Sequence, residues 1–335
     1  MANKINLLVN LPGGFFRTAA LAPHFARLDA FAQVRKTSHD TPEQIAADLA
    51  WADAVLMWSW PALLPELLDK APRLKFAAQI DVSQRAARVA LERGLPISVA
   101  RSAFSPAVAE MALTLILASL RRTSVYHTQM RQGTESWVQS FPDDIDTRER
   151  ELTGRSVGII GFGRIGRRLA EFLAPFHCQV RIADPFVTAE AARAAGVQKV
   201  ELDQLVSQSD IVVLCAAANA GTKHLLGQRE LAALRPDAIL INVARAALVD
   251  TDALVARLKK GDLYAAVDVF DKEPLPADHP LRQLPNAFLT PHRAGGLMAS
   301  VERILTWLID DMEAFLAGKE RRYALTEAMV PALDA

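Results

Sequence analysis

Val157-Gly158-Ile159-Ile160-Gly161-Phe162-Gly163-Arg164-Ile165-Gly166 is an apolar run that breaks into glycines and then turns amphipathic. The first half predicts a strand over Ser156–Ile160 and the second a helix over Arg164–Ala174. Between them stands the pattern G-x-G-x-x-G. Gly161 permits a tight turn, Gly163 lets the backbone come close to a pyrophosphate, and Gly166 lets the helix lie close on the sheet. Such a helix start offers free N–H groups and a partial positive charge to phosphates. Phe162, Arg164 and Ile165 complete the turn. The next predicted strand, Gln179–Ala183, ends in Asp184. An acid there can accept hydrogen bonds from a ribose diol and repels a 2′-phosphate, which favours NAD (NADH over NADPH). No basic residue beside Pro185 would hold an extra phosphate. With these features in register, a dinucleotide site outweighs an ordinary glycine-rich turn. Proteins that bind FAD or S-adenosylmethionine share the fingerprint, so these residues alone leave the ligand open.

Outward from this stretch, strands and helices alternate in both directions. Toward the C-terminus, strands are predicted over Ile211–Cys215, Ala238–Asn242, Tyr264–Asp268 and Ala287–Thr290. Helical patterns fall between most of them: Ala189–Ala195, Leu202–Ser207, Gln228–Leu234 and Thr251–Lys260. Toward the N-terminus, Lys4–Asn10, Ala54–Trp58, Leu74–Ile80 and Pro96–Val99 read as strands, with helices over Arg17–Phe25 and Pro42–Ala50. This alternation predicts parallel βαβ units throughout, an α/β protein with doubly wound sheets. Pro106–Arg122 reads as one long helix with Ser105 as its N-cap. Its apolar face is broad: Val108, Met111, Ala112, Leu115, Ile116 and Leu120. Arg131–Leu152 is polar, carries Trp137 and Phe141 and reads as a surface excursion. A final helix, Met298–Leu316, precedes Gly318.

The whole chain has 335 residues, enough for two domains of ~100–200 residues each. Hydrophobic residues make up 51% and charged residues 23%, an ordinary globular balance that argues against disorder. Lys plus Arg is 38 and Asp plus Glu is 38, so no net basic field attracts nucleic acid or an anionic membrane. Cys178 and Cys215 form no disulfide framework and match no metal-ligand spacing. The apolar stretch Ala107–Leu120 falls short of the ~20 residues of a membrane span. Met1–Phe16 lacks the layout of a signal peptide. The expectation is a cytoplasmic protein without metal, nucleic acid or membrane partner.

Three further segments carry chemistry. They are Leu240-Ile241-Asn242-Val243-Ala244-Arg245, Ala266-Val267-Asp268-Val269-Phe270-Asp271-Lys272-Glu273-Pro274, and Thr290-Pro291-His292-Arg293-Ala294-Gly295. Each runs past the carboxyl end of a predicted strand, the edge where open parallel sheets bind ligands. Arg245 can grip a carboxylate and polarise an adjacent carbonyl with its planar fork of donors. His292 can give a proton to that carbonyl or take one from the alcohol. Glu273 can hold the other ring nitrogen, fixing the tautomer and favouring the imidazolium. Taken singly, each has an ordinary alternative as an ion pair, a loop charge or a helix cap. Taken together they suit hydride transfer between a nicotinamide and a 2-oxo acid.

With these motifs in order, the sequence resembles the D-isomer-specific 2-hydroxyacid dehydrogenases. The resemblance runs from about Arg73 to about Gly318 and is strongest from Gly154 to Gly295. It implies two Rossmann-like domains, with a discontinuous substrate domain (residues 1–102 and 296–335) around an NAD-binding domain (103–295). It also implies catalytic roles for Arg245, Glu273 and His292, and a nicotinamide carboxamide contact for Asp268. Val243 and Ala244 would lie at the nicotinamide ribose. A small 2-oxo or D-2-hydroxy acid is the implied substrate, and a homodimer through the NAD-binding domains the implied assembly. The resemblance disfavours a formate dehydrogenase, since that branch resembles Gln where Glu273 stands, and leaves a phosphoglycerate dehydrogenase possible, with no regulatory domain expected after Ala335.

The family's glycine-containing substrate loop is replaced by Ala78-Gln79-Ile80-Asp81-Val82-Ser83. Asp81 there would repel a substrate carboxylate unless it turns away or meets a hydroxyl or ammonium group. Trp58, Ser59 and Trp60 follow a strand, and with Ile80, Asp81, Phe104 and Trp307 they form the candidate substrate pocket. The rival expectation is a non-enzymatic NAD(H)-sensing dimer of the corepressor type, which shares the fold.

Overall fold

The computed structural model describes residues 4–333. The chain divides into two units, residues 1–104 with 297–335, and residues 105–296. The division falls two residues after the first expected boundary and one residue after the second.

The first unit is built on five parallel strands: β1 (Ile5–Asn10), β2 (Ala32–Thr37), β3 (Ala54–Met57), β4 (Phe76–Gln79) and β5 (Ile97–Val99). Their order is β2-β1-β3-β4-β5. β3, β4 and β5 are buried along their whole length. Strands covered on both faces need no polar side, and these are mostly apolar for that reason, with Gln79 and Ser98 as buried polar residues. β2 is different and was not expected. Its sequence Ala-Gln-Val-Arg-Lys-Thr lies at the sheet edge, largely exposed, where Arg35 and Lys36 suit an unpaired rim.

The helix expected over Arg17–Phe25 is instead three pieces, Gly13–Arg17, Ala19–Leu21 and Ala22–Phe31. Thr18 is extended and breaks the first, and a proline in the opening turn restarts the third. The helix Gln84–Glu92, capped by Ser83, was also unexpected. Helix Met298–Leu316 matches its expected span and packs on β4 through Ile304, Leu305, Leu308, Ile309 and Met312, one helical face.

The chain after that helix adds an antiparallel rung to β5. Val99 N–H donates to Tyr323 O and Leu325 N–H to Ile97 O. Asp311 fastens this tail from inside. Its buried carboxylate accepts from Ser98 Oγ at 2.6 Å and from the backbone N–H groups of Arg322 and Tyr323 at 2.9 Å each. Asp311→Ala strands these donors, and we expect it to cost about 3 kcal/mol. Urea unfolding checks this, as a lower midpoint at an unchanged slope.

The second unit holds seven parallel strands: β6 (Ser156–Ile160), β7 (Gln179–Ala183), β8 (Gln198–Lys199), β9 (Ile211–Leu214), β10 (Ala238–Asn242), β11 (Leu263–Val267) and β12 (Ala287–Leu289). Their order is β12-β11-β10-β9-β6-β7-β8. β8 was not expected; two residues give no periodicity to read. The chain winds outward one way through β7 and β8 and the other way from β9 on, so the switch point lies between β6 and β9.

Ser105 begins the helix Ser105–Leu120 and does not cap it, because a 3-10 turn over Arg101–Phe104 runs straight into it. The continuous helical run Arg101–Leu120 is 20 residues, long and apolar enough to cross a membrane by composition. This corrects the shorter expectation. The helix packs on β10, β11 and helix Arg164–Leu173, which accounts for its apolarity. A further helix, Thr123–Gln132, has no buried residue and so no apolar stripe to betray it.

Candidate active site

The glycine turn forms at the switch point. Gly161 has φ +89, and a Cβ there would lie 2.6 Å from the Ala216 backbone, so the loops after β6 and β9 touch. A Cβ on Gly166 would lie 2.4 Å from Gly161 O, so the helix start can sit against the turn only without a side chain. A Cβ on Gly163 would meet nothing within 4 Å. This residue faces open space directly before the N-terminus of helix Arg164–Leu173, as a phosphate-accepting turn requires. Gly158 has a separate role, since a Cβ there would collide with Leu205 at 2.4 Å.

Asp184 closes the turn from the end of β7. It accepts Phe162 N–H at 2.7 Å and Phe186 N–H at 2.8 Å. Its two carboxylate oxygens therefore stand at the rim of the turn, each with a lone pair left for a diol. The Phe162 side chain is buried under the Arg167 guanidinium, so only its backbone belongs to the turn. Arg164 is exposed and Ile165 half-buried, while Val243 and Ala244 are buried. The open turn, the helix start and the Asp184 carboxylate together fit a dinucleotide.

Arg245, Glu273 and His292, the candidate catalytic residues, lie on three loops at the carboxyl edges of β10, β11 and β12. His292 Nδ1 meets Glu273 Oε2 at 2.7 Å. The other Glu273 oxygen accepts Phe270 N–H at 2.9 Å, which fixes the carboxylate plane. Burial raises the Glu273 pKa, but the His292 and Phe270 hydrogen bonds and the charges of His292 and Arg245 outweigh it. The net direction is below the ordinary 4.5. The carboxylate is therefore ionised at neutral pH and accepts from Nδ1, which leaves Nε2 as the nitrogen that can exchange a proton with a substrate.

Arg245 extends from β10 through a loop held by Asn242. Asn242 Oδ1 accepts Ala244 N–H at 3.1 Å, and its Nδ2 donates to Arg245 O at 3.0 Å. The Arg245 backbone is extended, at φ −144 and ψ 144.

Asp268 has a task that its sequence did not reveal. It is fully buried, and Oδ1 accepts Thr290 Oγ1 at 2.6 Å and Arg293 N–H at 2.9 Å. Oδ2 accepts Ala294 N–H at 2.8 Å, and the Asp268 carbonyl accepts His292 N–H at 2.8 Å. The resemblance gives this carboxylate to the nicotinamide carboxamide, but the donors it receives here all come from the loop that carries His292. His292 itself has φ +51, unusual for a side-chain-bearing residue. Asp268 and Glu273 hold the loop from both sides of that residue, as a strained position needs. Asn242 and Thr290 also escaped the sequence reading; a short polar residue at a strand end carries no signal until its partners are known.

The substrate-pocket candidates all lie in the first unit. Trp58 stacks obliquely on Trp60 with centroids 5.1 Å apart and meets Phe15 edge-on at 5.9 Å. Ser59 is half-buried, as are Phe104 and Trp307. Trp307 stacks on Tyr323 at 4.3 Å. Ile80 is fully buried, which corrects its assignment to a pocket wall: the residue belongs to the core beneath the sheet edge. Asp81 accepts its neighbour Val82 N–H at 2.9 Å and lies 3.8 Å from Arg101 Nε. A guanidinium thus faces its charge.

Comparison with known proteins gives the family. The family model described as "D-isomer specific 2-hydroxyacid dehydrogenase, NAD binding domain" matches residues 113–294. A glyoxylate/hydroxypyruvate reductase B from Pectobacterium carotovorum is 32% identical over 90% of this chain and 91% of its own length. A D-3-phosphoglycerate dehydrogenase from Methanocaldococcus jannaschii is 29% identical over 87% of this chain, which spans 55% of that protein. The structure of a 2-hydroxyacid dehydrogenase from Ketogulonicigenium vulgare Y25 superposes with a TM-score of 0.79 at 26% identity, covering 97% of this chain and 99% of that one. The chain belongs to the D-isomer specific 2-hydroxyacid dehydrogenase family. It has the two parallel-sheet α/β units of that family's Rossmann fold and its nicotinamide-dependent oxidoreductase class.

Proposed function

We propose that this protein reduces small 2-oxo acids to D-2-hydroxy acids with NADH, and runs the reverse reaction with NAD. The observation that carries the reading is the 2.7 Å pairing of His292 Nδ1 with Glu273, on a rim shared with Arg245. Arg245 binds the substrate carboxylate and polarises the carbonyl. Glu273 orients His292, whose Nε2 delivers a proton to the developing alkoxide or receives it in oxidation. The glycine turn, the helix start at Arg164 and Asp184 hold the dinucleotide, with Val243 and Ala244 toward its nicotinamide end. When bound, the nicotinamide supplies or accepts the hydride. Substrate choice is assigned to Trp58, Ser59, Trp60, Asp81, Phe104 and Trp307. The reaction is placed in the cytoplasm.

The test is NADH oxidation by the purified chain against a panel of 2-oxo acids that includes glyoxylate and hydroxypyruvate. Turnover on at least one is expected. Tight NADH binding with no turnover on any would sink the enzyme reading in favour of a sensor. The cofactor preference rests on Asp184. Asp184→Ala is expected to narrow the NADH-over-NADPH ratio of kcat/KM by about tenfold, the worth of one or two hydrogen bonds to an ionised group. A wild-type preference for NADPH contradicts the assignment.

A homodimer through the second unit is also proposed. Trp137 and Phe141 are 66% and 81% exposed in the excursion after helix Thr123–Gln132, with Val138 beside them. Grouped apolar side chains of this size on an open surface suit a protein partner. Sedimentation of wild type against Trp137→Asp/Phe141→Asp decides the point: an equal mass for both proteins removes this face from the assembly.

A further inference from the structure

The second unit has a hollow of about 420 Å³ at β7 and β8, lined by Cys178, Gln179, Arg181, Arg193, Gly196 and Gln198 among others. Cys178 and Gln179 stand at the amino start of β7, and Gly196 precedes β8. The hollow therefore opens toward the amino edge of the sheet, whereas Gly161 and Asp184 lie at the carboxyl edge. It is a different place from the dinucleotide turn.

Its lining is cationic without compensation. Arg181 and Arg193 both contribute, and no Asp or Glu is among the lining residues. Arg181 Nε and Nη1 are buried with no hydrogen-bond partner. Arg181 is half-buried, and guanidinium nitrogens that are shielded from water without an acceptor are costly, so they favour an anion beside them. Among the described residues that line the hollow, none supplies a carboxylate. Burial pushes the Cys178 thiol up, so it stays neutral and donates to Leu152 O at 3.5 Å. Gln179 and Gln198 are exposed polar residues at the same rim and bring neutral donors. Planar guanidinium forks suit the tetrahedral oxygens of a phosphate group, and the volume has room for a small molecule attached to it.

We propose that this hollow is an anion site for a phosphate group, either free phosphate or the phosphate of a monoester metabolite, with Arg181 and Arg193 as its cationic ligands. The site is independent of the dehydrogenase reading: a chain inert toward every 2-oxo acid would keep it.

The test is calorimetric titration of the full chain, saturated with NADH, with inorganic phosphate and with glycerol 3-phosphate at matched ionic strength. Binding of phosphate to wild type is expected, weakened about 10- to 100-fold in Arg181→Gln and in Arg193→Gln, the loss of one charge-assisted contact. Arg193 is exposed, so its variant keeps the fold and decides the matter if Arg181→Gln does not fold. Tighter binding of the monoester identifies a metabolite as the source, and equal binding identifies free phosphate. Absence of phosphate binding to wild type, or wild-type affinity in Arg193→Gln, overturns the proposal.

Discussion

His292→Asn lowers kcat for 2-oxo acid reduction by at least about 10²-fold, while NADH affinity stays at the wild-type value. Asparagine is the suitable replacement because His292 sits at φ +51, a region Asn enters more readily than most residues. The loop thus keeps its course and only the proton donor is lost. Single-turnover reduction and fluorescence titration of NADH separate the two quantities. Unchanged turnover would remove His292 from the mechanism. The acid limb of the wild-type profile is set partly by Glu273. Its pKa is lowered in the folded chain, so its stabilising charge is fully present above the ordinary 4.5 and is lost as pH falls through the lowered value. Reduction is therefore expected to keep its Glu273-oriented imidazole down to mildly acidic pH. In Glu273→Gln this hold is weakened at every pH above the lowered Glu273 pKa, because a neutral amide no longer favours the imidazolium.

Asp268→Ala has the second large effect, on stability and activity together. It removes the acceptor for Thr290 Oγ1, Arg293 N–H and Ala294 N–H from a site with no solvent access. Each buried donor left unmade costs about 1–3 kcal/mol, so a total of about 3–5 kcal/mol is expected. The freed loop also loses its grip on His292, and kcat should fall although no group that touches the substrate has changed. Urea unfolding measures the first quantity and steady-state kinetics under folding conditions the second. A variant with wild-type stability would show that the loop holds itself. A destabilised variant with wild-type kcat would show that Asp268 supports the fold without positioning His292.

The parts of the molecule legible in its sequence were those where one physical cause dominates. β6, β7 and β10 appear at their expected bounds because buried parallel strands are simple apolar runs. The glycine turn was legible because its steric demands admit no other residue at Gly161 or Gly166. β2, β8 and helix Thr123–Gln132 were not, since elements at an edge or on the surface carry little apolar pattern. The candidate site divides in the same way. Arg245, Glu273 and His292 could be chosen for their chemistry, and the 2.7 Å contact then followed from the fold. The work of Asn242 and Asp268 depends on partners far away in the chain, which no local pattern encodes. Ile80 misled because its place in a loop segment concealed that the side chain turns into the core.

Asn242 also accepts the backbone N–H of Asp268, at 3.0 Å, across neighbouring strands. The arginine loop hangs from one of these residues and the histidine loop from the other. The spacing of guanidinium and imidazole is thus a property of the β10–β11 ladder, not of either loop alone. A descendant of this chain that takes up a new substrate has little freedom to slide one group relative to the other. On the proposed mechanism, diversification comes from the walls around them, with guanidinium and imidazole inherited as a single rigid tool.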